Sequence, residues 1–302
     1  MRVFIDNGLF VDASTFRGMA HHVIDEYFCH FDPADVRDGE IVFVNTFLLC
    51  AFVRLFHPLI RARYVLITHN SDYPAPALAP GYNFTSILSS RKLIAWFAQN
   101  LNVRHQKLFP VPQGFSVNTK TLATDWNAGL AFRALKEMNP EARSLPLNKR
   151  LRWVYVNFAV RNETLRHAIL QWARRPEVAH FVTVRTAKIT QEQYRQEVAA
   201  HRFVWCPPGN GLDTHRKYEA LQQGTIPLVM FDYGLDDLHR QLPVVTVGKP
   251  QDVTLELLQG LLPRYQKRIE ELWTDRDGSV LTAAYWRDYV LRRIAGVENI
   301  SG

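Results

Sequence analysis

Residues Trp205 to Met230 read W-C-P-P-G-N-G-L-D-T-H-R-K-Y-E-A-L-Q-Q-G-T-I-P-L-V-M, and this run decides the fold. An apolar strand end leads into a glycine-rich turn, a short helix carrying His215, Arg216 and Glu219, and a second apolar strand from Ile226 to Met230. Gly209 and Gly211 lack a Cβ, so a ligand can approach the backbone amides closely. Asp213 or Thr214 is expected to cap the helix that follows. A helix N-terminus presents unpaired N–H groups and a partial positive charge, which favours an anion. Arg216 adds a donor fork suited to phosphate. Positions i, i+3 and i+4 share a helix face, so His215, Arg216 and Glu219 fall on one side. Donors for phosphate oxygens and a carboxylate for vicinal hydroxyls fit a diphosphate with a ribose beside it. Gly224 suits the residue just past the helix end.

Pro-Gly-Asn-Gly is also an ordinary turn, and Arg216 with Glu219 is also a common surface pair. The spacing differs from G-x-G-x-x-G and from Walker A. The whole run is far more specific than its parts. It resembles the exostosin-type glycosyltransferases, whose nucleotide-sugar signature is C-P-x-G-x-G-x-D-T-x-R-x-x-E-A-x-x-x-G-x-I-P. Cys206, Pro207, Gly209, Gly211, Asp213, Thr214, Arg216, Glu219, Ala220, Gly224, Ile226 and Pro227 fit it. Upstream, L-I-T-H-N-S-D-Y-P (Leu66 to Pro74), W-F-A-Q-N (Trp96 to Asn100), L-F-P-V-P-Q-G (Leu108 to Gly114) and V-Y-V-N-F-A-V-R-N (Val154 to Asn162) are similar to small exostosin-like proteins of microbes and viruses. The resemblance implies a GT-B fold, two Rossmann-like domains facing each other across a cleft, and inverting transfer from a nucleotide sugar. The large animal exostosins carry a membrane anchor and extra domains that this sequence does not contain, so their substrates are not carried over.

Short apolar runs alternate with helical stretches at Val3–Ile5, Ile41–Val44, Tyr64–Thr68, Leu93–Phe97 and Lys107–Phe109, and again at Arg152–Val156, Phe181–Val184, Phe203–Cys206, Ile226–Met230 and Val244–Val247. This alternation argues for parallel sheets covered on both faces. The polar, proline-containing stretch Asn139 to Arg150 divides the two sets. Residues 1–140 are expected to form an acceptor-side domain and 150–280 a nucleotide-sugar-binding domain. The aromatic-rich helix expected over Leu281 to Ile294 belongs to a segment, 281–302, that packs back on the first domain in such folds. The apolar stretch Ile41 to Ile60 is broken by Asn45, Arg54, His57 and Pro58, and reads as a buried strand running into a core helix instead of a membrane span.

Ligands of open α/β sheets bind beyond the carboxyl ends of the strands. Asp6-Asn7-Gly8, His69-Asn70-Ser71-Asp72, Gln99-Asn100, Asn157 with Arg161, and Thr186-Ala187-Lys188 all follow expected strands. Asn157, Arg161, Pro208, Gly209, Asn210, Gly211, Asp213, Thr214, His215, Arg216 and Glu219 are therefore the candidate nucleotide-sugar site. Asp72 is the first candidate for a catalytic base, His69 the second, and Asp6 and Asp12 follow. Trp96, Phe97, Tyr73 and Tyr82 could stack on a sugar, although aromatics beside strands are more often core.

With 302 residues, 47% of them hydrophobic, the chain can bury two medium cores. Its three cysteines, Cys29, Cys50 and Cys206, cannot make a disulfide framework and fit a reducing, cytoplasmic setting. The start M-R-V-F-I-D-N-G is interrupted too early to be a signal peptide. A net charge of +7 points to anionic partners. Candidates are nucleotide diphosphates such as that of a UDP-sugar donor, an anionic glycan, a lipid-pyrophosphate acceptor at a membrane surface, or nucleic acid. The expected partners are the nucleotide-sugar donor and a glycan or glycolipid acceptor, with peripheral membrane contact. The rival from another class is a basic nucleotide- or nucleic-acid-binding protein without transferase activity. Nucleic acid is not expected, because the basic residues are scattered and no recognised binding motif is present. No cofactor and no metal are expected either. Asp275-Arg276-Asp277 matches D-x-D only superficially, since it follows a charged helix instead of a strand.

Overall fold

The computed structural model describes residues 10–26, 31–79, 82–115, 145–160, 164–274 and 278–301. Two five-stranded parallel sheets organise them. The first contains β1 (His22–Ile24), β2 (Glu40–Asn45) and β3 (Tyr64–His69). After a small antiparallel pair, β4 (Ala77–Ala79) and β5 (Tyr82–Asn83), it is completed by β6 (Leu93–Ala98) and β7 (Leu108–Pro110). The second holds β8 (Arg152–Val156), β9 (Val182–Val184), β10 (His201–Trp205), β11 (Ile226–Met230) and β12 (Val245–Val247). The fold is α/β with two Rossmann-like halves, each built on one parallel sheet.

Strands buried on both faces read as continuous apolar runs. β3, Y-V-L-I-T-H, and β6, L-I-A-W-F-A, are buried at every position. Trp96 and Phe97 lie inside these runs with no exposed surface, so they are core and not sugar platforms. The strand β1 and the β4–β5 pair are too short to carry a periodic signal and were not expected from sequence. The strand expected at Val3–Ile5, Asp6, Cys29, Arg161 and the Asp275–Asp277 triplet lie outside the described residues, as does the first half of the expected hinge.

Strand order fixes where chemistry can sit. The second sheet runs β12-β11-β10-β8-β9, so the chain leaves β8 toward one edge and returns through β10 on the other side. The crevice beyond the carboxyl ends of β8 and β10 is a topological switch point, the position at which open α/β sheets bind ligands. Asn157 directly follows β8, and the Cys206–Thr214 loop directly follows β10.

Arg150 is the first fixed point of the second half. It is buried, and its guanidinium donates to His201 O at 2.6 Å, Thr225 Oγ1 at 2.7 Å, Leu145 O at 2.8 Å and Gln223 O at 2.9 Å. Burial pushes its pKa down to about 10. Four satisfied donors are what make a buried arginine tolerable. Gly224, at φ +65°, adopts the left-handed conformation expected after the helix end.

The last helix begins at Ala283 instead of Leu281 and runs to Ser301. It lies on the first sheet, where the Tyr289 ring is 6.3 Å from Phe97 and Arg293 stands 5.3 Å over Phe109. Leu281 O accepts a hydrogen bond of 2.9 Å from Val11 N.

One expectation is corrected. The helical segment after β2, formed by a 3-10 turn Thr46–Leu48, an α turn Leu49–Ala51 and a π stretch Phe52–Phe56, is buried on one face only. Leu49 and Phe52 are inside, whereas Phe47, Leu55 and Leu59 are each more than 60% exposed. The segment carries more apolar side chains than the core covers, so part of its apolar surface is left in contact with water.

Candidate active site

The loop after β10 is built on its glycines. Gly209 N donates to Gly211 O at 2.9 Å, closing a tight turn. A Cβ on Gly209 would stand 3.0 Å from Arg166 Nη2, and one on Gly211 would stand 2.9 Å from Asn100 Nδ2. Arg166, from the Thr164–Ala173 helix, backs the loop by donating to Pro208 O and Ala159 O, both at 2.8 Å. That role is invisible in the sequence, since Arg166 lies 42 residues from Pro208 and belongs to no motif.

The helix His215–Gln222 follows, with Thr214 at its N-cap position. The expected capping is not made. Thr214 offers no side-chain hydrogen bond to the helix, and its buried Oγ1 has no partner among the described residues. Asp213 does not cap the helix by the usual bond either, because its carboxylate is drawn inward. Its Oδ1 lies 2.7 Å from Lys217 Nζ and accepts from Thr214 N at 2.8 Å. Its Oδ2 accepts from Tyr218 OH at 2.6 Å and Gln113 N at 2.8 Å. Burial alone would raise the Asp213 pKa, but the Lys217 ammonium and these donors outweigh it and hold the carboxyl below its usual range. Lys217 Nζ also donates to His239 Nε2 at 2.8 Å. Burial keeps that imidazole neutral, its pKa far below normal.

Two hydrogen bonds of Asp213 cross between the halves. Asp213 N donates to Asn100 Oδ1 at 2.7 Å, and Gln113 N, following β7, donates to Asp213 itself. His215 joins the same seam, with Nδ1 2.7 Å from Gly114 O and Nε2 3.1 Å from Gln113 Nε2. Asn100 stands at φ +55°, a left-handed conformation that Asn tolerates better than most residues. A second seam lies alongside. Arg104 donates to Tyr233 O at 2.8 Å, pairs with Asp236 and stacks 4.2 Å over the Tyr233 ring. Asn100, Gln113 and Arg104 have joint roles that single-sequence reading missed, because each depends on a partner 100 or more residues away in the opposite half, and the role of Lys217 depends on its burial between Asp213 and His239.

Arg216 lies in the switch-point crevice. Its Nη1 donates to Asn157 O at 2.6 Å, and its guanidinium stands 4.8 Å over the Tyr194 ring. Asn157 Nδ2 in turn donates to Arg185 O at 2.9 Å, tying the end of β8 to the end of β9. The Tyr194 and Tyr155 hydroxyls are buried without hydrogen-bond partners among the described residues. Glu219, one turn along the helix, is half-buried, and its carboxylate makes no hydrogen bond or ion pair among the described residues. A neighbouring surface cavity of about 240 Å³ is lined by Arg152, Arg185, Gln193 and Glu197. There Glu197 bridges Arg152 and Arg185 at 3.0 Å each.

The two candidate bases differ sharply. Asp72 is exposed, and its Oδ2 accepts from Asn210 Nδ2 at 3.3 Å, so it touches the glycine loop from the opposite half. His69 is 1% exposed. Its Nε2 donates to Pro112 O at 2.9 Å, Nδ1 accepts from Asn70 N at 2.7 Å, and its ring stacks on Phe16 at 5.1 Å. Burial lowers its pKa to about 4. Both ring nitrogens are occupied by backbone groups, which leaves none for an acceptor hydroxyl. The reserve candidate Asp12 is a helix cap, its Oδ1 accepting from Ser14 N at 2.8 Å and Thr15 N at 3.1 Å. Among the described residues no cluster of three or more His, Cys, Asp or Glu is arranged to hold a metal ion.

No protein-family model matches this chain, and no curated protein matches it. Solved structures similar to it include an α,α-trehalose 6-phosphate synthase from Burkholderia multivorans, at 11% identity and TM-score 0.43, covering 88% of this chain and 74% of that one. Another is the catalytic domain of starch synthase IV from Arabidopsis thaliana bound to ADP and acarbose, at 13% identity and TM-score 0.38, covering 85% and 73%. A third is Anabaena Alr3699/HepE in complex with UDP-glucose, at 12% identity and TM-score 0.37, covering 86% and 78%. Overlaps of this extent carry no argument about function, which rests on the geometry above.

Proposed function

We propose that the protein is a glycosyltransferase that moves a sugar from a nucleotide sugar, most simply a UDP-sugar, to a hydroxyl of a glycan or glycolipid acceptor, with inversion. The observation that carries this reading is the pairing across the halves. A glycine loop with Arg216 and Glu219 sits at the β8/β10 switch point, and the exposed Asp72 carboxylate meets that loop from the other sheet.

In this reading the donor diphosphate lies against the glycine loop, with Arg216 meeting the leaving-group charge. Glu219 takes the ribose hydroxyls. The Asn157 carbonyl aims the Arg216 guanidinium, and Asp213 fixes the loop to the first half. The acceptor oxygen bonds to the anomeric carbon as the bond from that carbon to the diphosphate oxygen breaks. The bonding pair departs with the nucleoside diphosphate, and the acceptor proton passes to Asp72. No metal enters this scheme, since arginine and amide donors supply the positive charge.

A thermal-shift panel of nucleoside diphosphates and nucleotide sugars tests it. A ligand at about 100 times its Kd stabilises the folded protein by roughly 2.7 kcal/mol. Absence of any response to every nucleoside diphosphate, with tight and steeply salt-dependent binding to RNA or DNA, would replace this reading with the non-catalytic basic binder.

A further inference from the structure

The uncovered face of the helical segment after β2 borders the proposed acceptor side. Phe47 is 66% exposed, Leu55 61% and Leu59, in the turn just after the segment, 62%. Tyr73 and Tyr82 continue this face, with Phe47 and Tyr73 ring centroids 6.1 Å apart and Arg54 standing 5.9 Å over the Tyr82 ring. Tyr73 is the residue next to Asp72. The ridge therefore ends at the carboxylate that faces the glycine loop.

Its charge is one-sided. Residues 46–63, T-F-L-L-C-A-F-V-R-L-F-H-P-L-I-R-A-R, contain three arginines and no acidic residue. Arg63 pairs with Asp38, whereas Arg54 and Arg61 are exposed and make no ion pair among the described residues. Exposed leucines and aromatics with unneutralised arginines fit an interface that is apolar inside and anionic at its rim. A second copy of this chain fits less well, because a two-fold contact would set the same arginines against each other.

We propose that this ridge docks the protein on a bilayer bearing anionic phospholipids. Phe47, Leu55 and Leu59 enter the acyl boundary, Tyr73 and Tyr82 sit at headgroup level, and Arg54 and Arg61 meet lipid phosphates. Its purpose, presenting a lipid-borne acceptor hydroxyl to Asp72, rests on the transferase reading; the docking itself does not.

Vesicle flotation tests it, using phosphatidylcholine alone and phosphatidylcholine mixed with phosphatidylglycerol. The wild-type protein should float with the mixed vesicles and not with the neutral ones. The triple variant Phe47→Ser, Leu55→Ser, Leu59→Ser and the double variant Arg54→Glu, Arg61→Glu should each lower partitioning by at least about tenfold, with UDP binding unchanged. The arginine variant alters only exposed side chains, so it remains informative if the apolar variant misfolds. Wild-type protein that ignores anionic vesicles, or variants that partition like wild type, would overturn the docking. A dimer in sedimentation velocity that the apolar variant disperses would also overturn it, assigning the ridge to a second copy. Vesicle binding without UDP binding would keep the docking and remove the donor reading.

Discussion

The Asp72 carboxylate accepts a 3.3 Å hydrogen bond from the Asn210 side chain. A residue following β3 of one sheet thus touches the loop following β10 of the other, so the carboxyl ends of the two sheets meet at this point. In the proposed reading this makes the base and the donor-binding loop neighbours across the two halves.

From that relation, Asp72→Asn should lower transfer by on the order of 10²–10⁴ while leaving UDP affinity nearly intact. The amide can still meet Asn210 but cannot take the proton. Turnover and UDP affinity measured on the same variant separate the two effects. Transfer near the wild-type rate would place the base elsewhere.

Arg216→Ala should weaken UDP binding by roughly 1.5–3 kcal/mol, the range for hydrogen bonds to a charged group. Because Arg216 also donates to Asn157 O at 2.6 Å, Arg216→Lys is the informative companion. Lysine keeps the charge but loses the planar fork that can hold the carbonyl and a phosphate together. Calorimetric titration should rank wild type above lysine and lysine above alanine. Equal affinities in folded variants would remove Arg216 from the donor site.

Much of the fold was legible because β3, β6, β8 and β11 are apolar runs bounded by turn residues, and such runs mark strands of a parallel sheet wherever they occur. The glycine loop was legible for a similar reason: its geometry is local, set by residues within a few positions of one another. What stayed hidden depends on which contacts burial brings together, near or far in the chain. Asp213 reads as a cap or ligand until Lys217, Tyr218 and Gln113 are seen around its carboxylate. His69 reads as a base until Pro112 O and Asn70 N are found on its two nitrogens. The segment after β2 reads as core because hydropathy does not tell a covered apolar face from an uncovered one.

The buried Asp213–Lys217 pair predicts an asymmetric response. Lys217→Met removes the ammonium 2.7 Å from Asp213 Oδ1 and strands a buried carboxylate, which should cost about 3–5 kcal/mol of unfolding free energy. Asp213→Asn with Lys217→Met removes both charges and should recover part of that loss. Urea denaturation of the two variants decides it. A Lys217→Met protein as stable as wild type would mean that the ammonium is not what balances the buried Asp213 carboxylate.

Stability should also fall with acid through His69. Its folded pKa of about 4 lies below the ordinary value of 6.5, so below pH 6.5 the unfolded chain binds a proton that the native imidazole refuses. The native state therefore loses stability as pH drops from about 6.5 toward 4, and retains it above. The gap corresponds to roughly 3 kcal/mol at full protonation. His201 and His239, also held below their ordinary values by burial, act in the same direction, so the wild-type slope alone does not isolate His69. His69→Gln does, since an amide can still donate to Pro112 O but does not titrate. Unfolding free energies measured between pH 7.5 and 4.5 should decline less steeply in the variant, although its stability at neutral pH is lower. Parallel slopes would show that His69 is not the buried neutral imidazole that anchors the turn beneath Asp72.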